Sequence, residues 1–228
     1  MIFRQLFDEE SYSYTYLIGD EGTRQALIID PVLAKYDVYV QLIQELSLNL
    51  VYAIDTHVHN DHITALGKLR LRFRCETVHG DESRASGVSL HVGDGDALGL
   101  GDLCLRCLHT PGHTEESYCF LMEDQNLVFT GDTLMIRTTG RTDFQGGSAE
   151  KQYASLFDKL LCLPDDTLVY PGHDFRGMTK STIGEERQFN PRLLVASVED
   201  YVTVMEQVQL APPKGMNVAV PANLRVGI

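Results

Sequence analysis

No stretch of this sequence approaches the roughly 20 consecutive apolar residues that a bilayer-spanning helix requires. The opening MIFRQLFDEESYSY lacks the basic-then-apolar layout of a secretory signal and carries three acids within ten residues. Positive charge is scarce: 19 Lys and Arg stand against 32 Asp and Glu, a net charge of −13. That balance argues against nucleic acid and against anionic membrane surfaces as partners. A carboxylate-bearing substrate would need a few local Arg or Lys residues to overcome it. The five cysteines (Cys75, Cys104, Cys107, Cys119, Cys162) are odd in number and scattered through apolar segments. They read as buried thiols of a reducing compartment, so a cytoplasmic location is expected. Repeats, low-complexity tracts and linkers are also missing. The expectation is one domain over residues 1–228, long enough to bury a core without covalent staples.

What is present is a recurring strand–loop–helix pattern. Tyr12, Tyr14 and Tyr16 alternate with small polar residues, and a turn at Gly19–Gly22 leads to Ala26–Asp30, which predicts a β-hairpin. Val38, Leu42, Ile43 and Leu46 recur at helical spacing. Leu50–Asp55 has the apolar character of a strand covered on both faces, and a helix is expected over Ile63–Phe73. Leu103–Leu108, Asn126–Phe129 and Thr167–Tyr170 are further strand-like runs. Ser148 can cap a helix carrying Tyr153, Leu156, Phe157, Leu160 and Leu161. Asn190 and Pro191 are expected to open a last helix with Leu194, Val198, Tyr201, Val202 and Met205 on one face.

Four of these strands run into loops bearing His or Asp. They are THVHNDH (Thr56–His62), HTPGHT (His109–Thr114), TGD (Thr130–Asp132) and PGHD (Pro171–Asp174). Ligands in layered α/β proteins gather where such loops converge beyond the strand ends. HVHNDH packs three imidazoles and a carboxylate into six residues, a set suited to zinc, iron, manganese or nickel. Chance clustering on a surface turn is a weak explanation, because five of the eight histidines lie in three loops that all follow predicted strands. Glycine precedes His113, Asp132 and His173, permitting a positive φ and close backbone approach.

These motifs, in this order and spacing, resemble the metallo-β-lactamase superfamily, which implies an α/β fold, an αββα sandwich with a metal site at one edge. The full ligand set resembles glyoxalase II-type thioester hydrolases. That reading would place one metal on His57, His59 and His113 and a second on Asp61, His62 and His173, with Asp132 bridging. Gly140–Gln145, Ser181–Arg187, Asn190–Arg192 and Pro221–Arg225 instead resemble the persulfide dioxygenases across nearly the whole chain.

That resemblance implies one Fe(II) per chain on His57, His113 and Asp132, with His59, Asp61, His62 and His173 around it. Two histidines and a carboxylate on one face of an iron leave positions open for substrate, whereas zinc has no redox chemistry. The implied reaction oxidises glutathione persulfide with O2 to sulfite and glutathione. Arg141 and Arg192 are the candidates for pairing with the substrate's carboxylates, because guanidinium matches carboxylate bidentately. Asp174, Phe175, Met205 and Asn223, with Arg192, match the family's glutathione pocket. Phe175 stands where some members have Tyr, and Val226 where some have Cys. A homodimer is suggested by the resemblance alone. Read without it, Arg192 is an exposed charge in a helix's first turn, and the site could serve a protein that merely holds a metal.

Other features are given no function. Lys68, Arg70, Arg72 and Arg74 spread around a helix as a solvated face. Cys104 and Cys107 lie within a strand, Gly93–Asp96 is a turn rather than a calcium loop, and His79, His91 and His109 lack a ligand set.

Overall fold

The architecture follows from strands that are apolar on both faces. In the computed structural model, which describes residues 1–213 and 215–228, twelve strands form two six-stranded sheets. The first contains β1 (Ile2–Asp8), β2 (Ser13–Gly19), β3 (Gln25–Ile29), β4 (Asn49–Ile54), β5 (Glu76–Gly80) and β6 (Leu90–Val92), in that spatial order. The second contains β7 (Ala97–Leu100), β8 (Leu103–His109), β9 (Tyr118–Met122), β10 (Leu127–Gly131), β11 (Leu168–Pro171) and β12 (Ser181–Thr182), again as neighbours in sequence order. Pairing is antiparallel from β1 to β3 and parallel from β3 to β6, and the second sheet is antiparallel except for β10 with β11.

Period-two alternation sorts side chains between cores. Tyr14, Tyr16 and Ile18 of β2, and Leu27 and Ile29 of β3, point between the sheets to meet Leu105, Phe120 and Phe129. Leu17, Ala26 and Ile28 point the other way, under α1 (Tyr36–Glu45) and α2 (Leu66–Phe73). The outer face of the second sheet, with Leu121, Val128 and Val169, is covered by α3 (Ala149–Ala154) and its irregular continuation through Lys159, and by α4 (Ile183–Phe189) and α5 (Val198–Glu206). A short α6 (Met216–Asn223) returns to the first sheet's side, where Val226 joins the core under α1 and α2. The expected αββα sandwich is the fold. The hairpin, Ser148 as a cap and the strand bearing Cys104 and Cys107 are all present, with Cys104 exposed and Cys107 buried on opposite faces.

Four expectations need correction. The cysteines are not all buried thiols: Cys104 falls on the solvent side of β8 and Cys162 lies in the irregular turn after Lys159, both exposed. In α1 the buried residues are Tyr39 and Ile43, while Val38 is 45% exposed, so the apolar stripe is rotated by a position. The helix expected from Ile63 starts at Leu66, because Thr64 is held outside it by its hydroxyl on Asp55 and its N–H on Asn223. Asn190 and Pro191 do not open a helix. Asn190 is fully buried and closes α4, its amide donating to Thr138 O and Glu186, and Ser197 caps α5 instead. Leu194, left outside, is 64% exposed.

Candidate metal centre

The four His/Asp loops meet at one edge of the sandwich, each delivered by the end of a strand: β4, β8, β10 and β11. One ligand atom each from His57, His113 and Asp132 lies within 4.8 Å of the others. The remaining polar atom of each is already taken. Thr56 Oγ1 donates to Asp30, 2.9 Å away, and therefore accepts from His57 Nδ1, 2.9 Å away. His113 Nδ1 donates to the Arg141 carbonyl at 2.7 Å. Asp132 Oδ1 accepts from His173 Nδ1 at 2.6 Å, leaving Oδ2 3.6 Å from His113 Nε2. Both Nε2 lone pairs and one carboxylate oxygen thus face a common point. Outer hydrogen bonds that fix a tautomer in this way are the usual companions of metal-ligating histidines. The donor set fits a divalent transition metal with open positions.

The charges agree. Burial, and then the neighbouring His59 and His113, hold His57 well below its ordinary 6.5, so it stays neutral at physiological pH. Asp132 stays ionised: burial opposes this, but His173 holds its carboxyl far below the usual range. Two glycines set the geometry. Gly131 has φ +48°, which turns the chain into Asp132. A Cβ on Gly172 would lie 2.8 Å from Asp132 Oδ1, so at that position space matters rather than φ.

Three of the other four motif residues form a second three-donor group, though not the set expected of a two-metal enzyme. His59 groups with Asp61 and His62 rather than with His57, and its Nε2 donates to Asp30 at 3.1 Å. Although burial works against it, Asp30 and its neighbours raise His59 to about 9. His173 belongs to no three-donor group among the described residues; it lies between Asp132 and Asp61, its Nε2 3.0 Å from Asp61 Oδ2. Burial works against a proton on His173 too, yet the two carboxylates raise it well above the ordinary range. The partition of donors expected of a two-metal enzyme is therefore not the one the fold makes.

A cavity of about 430 Å³ opens onto His113, Asp132 and His173, with Arg141, Arg192 and Phe175 on its wall. The expected pocket residues divide. Arg192 is half-buried, donates through Nη1 to Thr139 O and Oγ1, and has no carboxylate partner among the described residues. Phe175 is 63% exposed and stacks on His173 at 6.0 Å. Arg141 is already engaged, bidentate to Asp143 and bound to the carbonyls of Leu210 and Ala211. Asp174, Met205 and Asn223 are buried away from the cavity wall. Asp174 caps the N–H groups of Arg176 and Met178, and Met205 packs in the core under the second sheet. Asn223 donates to the carbonyls of His59 and His62 and accepts from Thr64 N–H, so it clamps the HVHNDH loop rather than meeting a ligand.

Sequence reasoning missed Ser13, Asp30, Thr56 and Gln145. Asp30 has a weak signal, an acid ending an apolar strand, and its φ of +51° turns its carboxylate onto Thr56 and His59. Gln145 holds the same loop through the Val58 carbonyl and Asn60, with no sequence signal beyond its place in the Gly140–Gln145 segment. His79 sits in a buried network beside Asp55, at 3.5 Å, as a structural residue.

Comparison with known proteins adds to this geometry. The family model of the metallo-beta-lactamase superfamily matches residues 8–173. The mouse mitochondrial persulfide dioxygenase ETHE1 is 46% identical, the alignment covering all of this chain and 89% of the mouse protein. The crystal structure of ETHE1 from Myxococcus xanthus is 50% identical, covers both chains fully and superposes with a TM-score of 0.97. A more distant solved structure, TTHA1623 in a di-iron-bound form, is 26% identical over 82% of this chain and 98% of its own, with a TM-score of 0.69.

Proposed function

This chain belongs to the metallo-beta-lactamase superfamily and within it to the persulfide dioxygenases, and we propose that it oxidises glutathione persulfide with O2 at a single iron. The observation that carries the single-metal part is the convergence of His57 Nε2, His113 Nε2 and an Asp132 oxygen, each with its other polar atom held by a protein partner. A bound Fe(II) would supply the redox chemistry that joins the terminal sulfur of the persulfide to dioxygen. One persulfide, one O2 and one water then balance as one glutathione, one sulfite and two protons.

The chain's own contribution is positioning. Arg192, the cavity's cation without a carboxylate partner, pairs with a substrate carboxylate against the protein's net charge of −13. Phe175 forms an apolar wall beside it. His173 keeps Asp132 oriented by donating from Nδ1, and holds a second proton at Nε2 beside Asp61, within reach of the cavity. A cytoplasmic location and a homodimer belong to this proposal as well; the mouse relative is mitochondrial by name.

A dinuclear thioester hydrolase is the second reading, favoured by the presence of all seven motif residues and by a relative of the same fold in a di-iron form. One experiment separates the two. The purified protein is analysed for metal per chain, and dissolved oxygen is followed after adding glutathione persulfide. One iron with oxygen uptake is expected. Two metals, hydrolysis of S-lactoylglutathione and no oxygen uptake would overturn the proposal.

A further inference from the structure

Ser13 lies at the start of β2, 1% exposed, in the middle of the residues that would otherwise make a second metal site. Its hydroxyl oxygen is 2.9 Å from His173 Nε2, 3.2 Å from His62 Nδ1 and 3.4 Å from Asp61 Oδ2. The position is imposed by backbone. Ser13 forms an antiparallel bridge with His173, flanked by Tyr14 N–H on Gly172 O at 2.7 Å and Asp174 N–H on Tyr12 O at 3.2 Å. The bridge therefore fixes the Ser13 backbone next to that of His173, from which the hydroxyl meets the imidazole. The His62 and His173 rings are 6.5 Å apart with Ser13 between them, and His173 shares no three-donor group with Asp61 and His62.

We propose that Ser13 determines the metal count, its hydroxyl wedged between His62 and His173 and against Asp61, in the space a second metal would need. This rests on His57, His113 and Asp132 being the first metal site. A metal bound by nitrogen and oxygen needs donors about 2.0–2.2 Å from one centre. A hydroxyl at hydrogen-bond distance from three of those donors stands where such a centre would form. The chain thus keeps a full set of ligand residue types while offering one working site. Period-two alternation explains why the sequence can choose this residue freely. Tyr14 and Tyr16 take the face between the sheets, and Ser13 and Thr15 take the opposite one.

The test is a metal count on stripped protein titrated separately with Zn(II) and Mn(II), read by elemental analysis and, for Mn(II), by electron paramagnetic resonance. Wild type is expected to saturate at one equivalent. Ser13→Ala should take a second, its affinity tightened at least about tenfold over any second binding to wild type, and paired Mn(II) ions should show exchange coupling. Ser13→Thr, which keeps the hydroxyl, should stay at one. Two equivalents on wild type or on the Thr variant overturn the proposal, as does a folded Ala variant that stays at one. If Ser13→Ala does not fold, Ser13→Gly, which keeps the backbone bridge, is read by the same criteria. Asp132→Ala is the control for the underlying reading. If it retains the first metal, the first site is misassigned, a different failure from an unchanged count at Ser13.

Discussion

At the scale of single residues, the site divides into side chains that face the common point and side chains that aim them. Asp132 does the first, and Asp132→Ala is expected to abolish metal retention after desalting, measured as metal per chain. His173 does the second by holding Asp132 Oδ1, so His173→Ala should retain metal while turnover falls. The two arginines on the cavity wall differ in what they already hold. Arg141 is engaged with Asp143 and two carbonyls, whereas Arg192 holds only Thr139. Arg192→Ala should raise KM for glutathione persulfide about tenfold, equivalent to about 1.4 kcal/mol, with little change in kcat. His59 gives a pH signature in metal-free protein. Its folded value of about 9 lies above the ordinary 6.5, so its contribution to stability is complete below pH 6.5 and is lost as pH rises through 9. Urea midpoints of wild type and His59→Gln should therefore converge toward alkaline pH.

At the scale of elements, helix ends and loop clamps decide where the functional loops begin. Arg74 closes α2 at φ +58°, a left-handed position exposed to solvent. Arg74→Gly should stabilise the fold by about 1 kcal/mol, the steric cost removed, as read by chemical denaturation. Asn223→Ala should cost about 1–3 kcal/mol by leaving buried groups unpaired, and it should loosen the loop whose carbonyls it holds. These clamps mark the boundary of what the sequence makes legible. The seven-residue cluster could be read because ligand types gather at strand ends, and the layered fold because its strands are apolar on both faces; the choice of His57, His113 and Asp132 among the seven came only with the family resemblance. Ser13, Thr56 and Gln145 could not, because a serine or glutamine carries the same signal on any loop and acquires a role only from the residue that tertiary structure sets opposite. Asn190 misled for a related reason. Its type suits a helix start, but a buried carboxylate, Glu186, and the Thr138 carbonyl claimed its amide. Asn223 and Met205 likewise match pocket positions by sequence yet spend their side chains on loop and core.

At the scale of the molecule, the two sheets are separate until they stack, and the metal-facing residues are spread over both. His57 follows the first sheet's β4, while His113 and Asp132 follow strands of the second. The bridge of Ser13 to His173 spans a sequence separation of 160 residues. Closing a loop of that length is costly in entropy and late in folding. His57 and His113 meet only when the two sheets dock, so metal bound by this set is expected to join after the fold has formed. Refolding rates should be the same with and without metal, while unfolding should slow in its presence, because the stabilising contact forms after the rate-limiting step. Protein made without metal is then expected to be folded, and adding the ion to it should restore activity with no refolding step, as read by circular dichroism before and after.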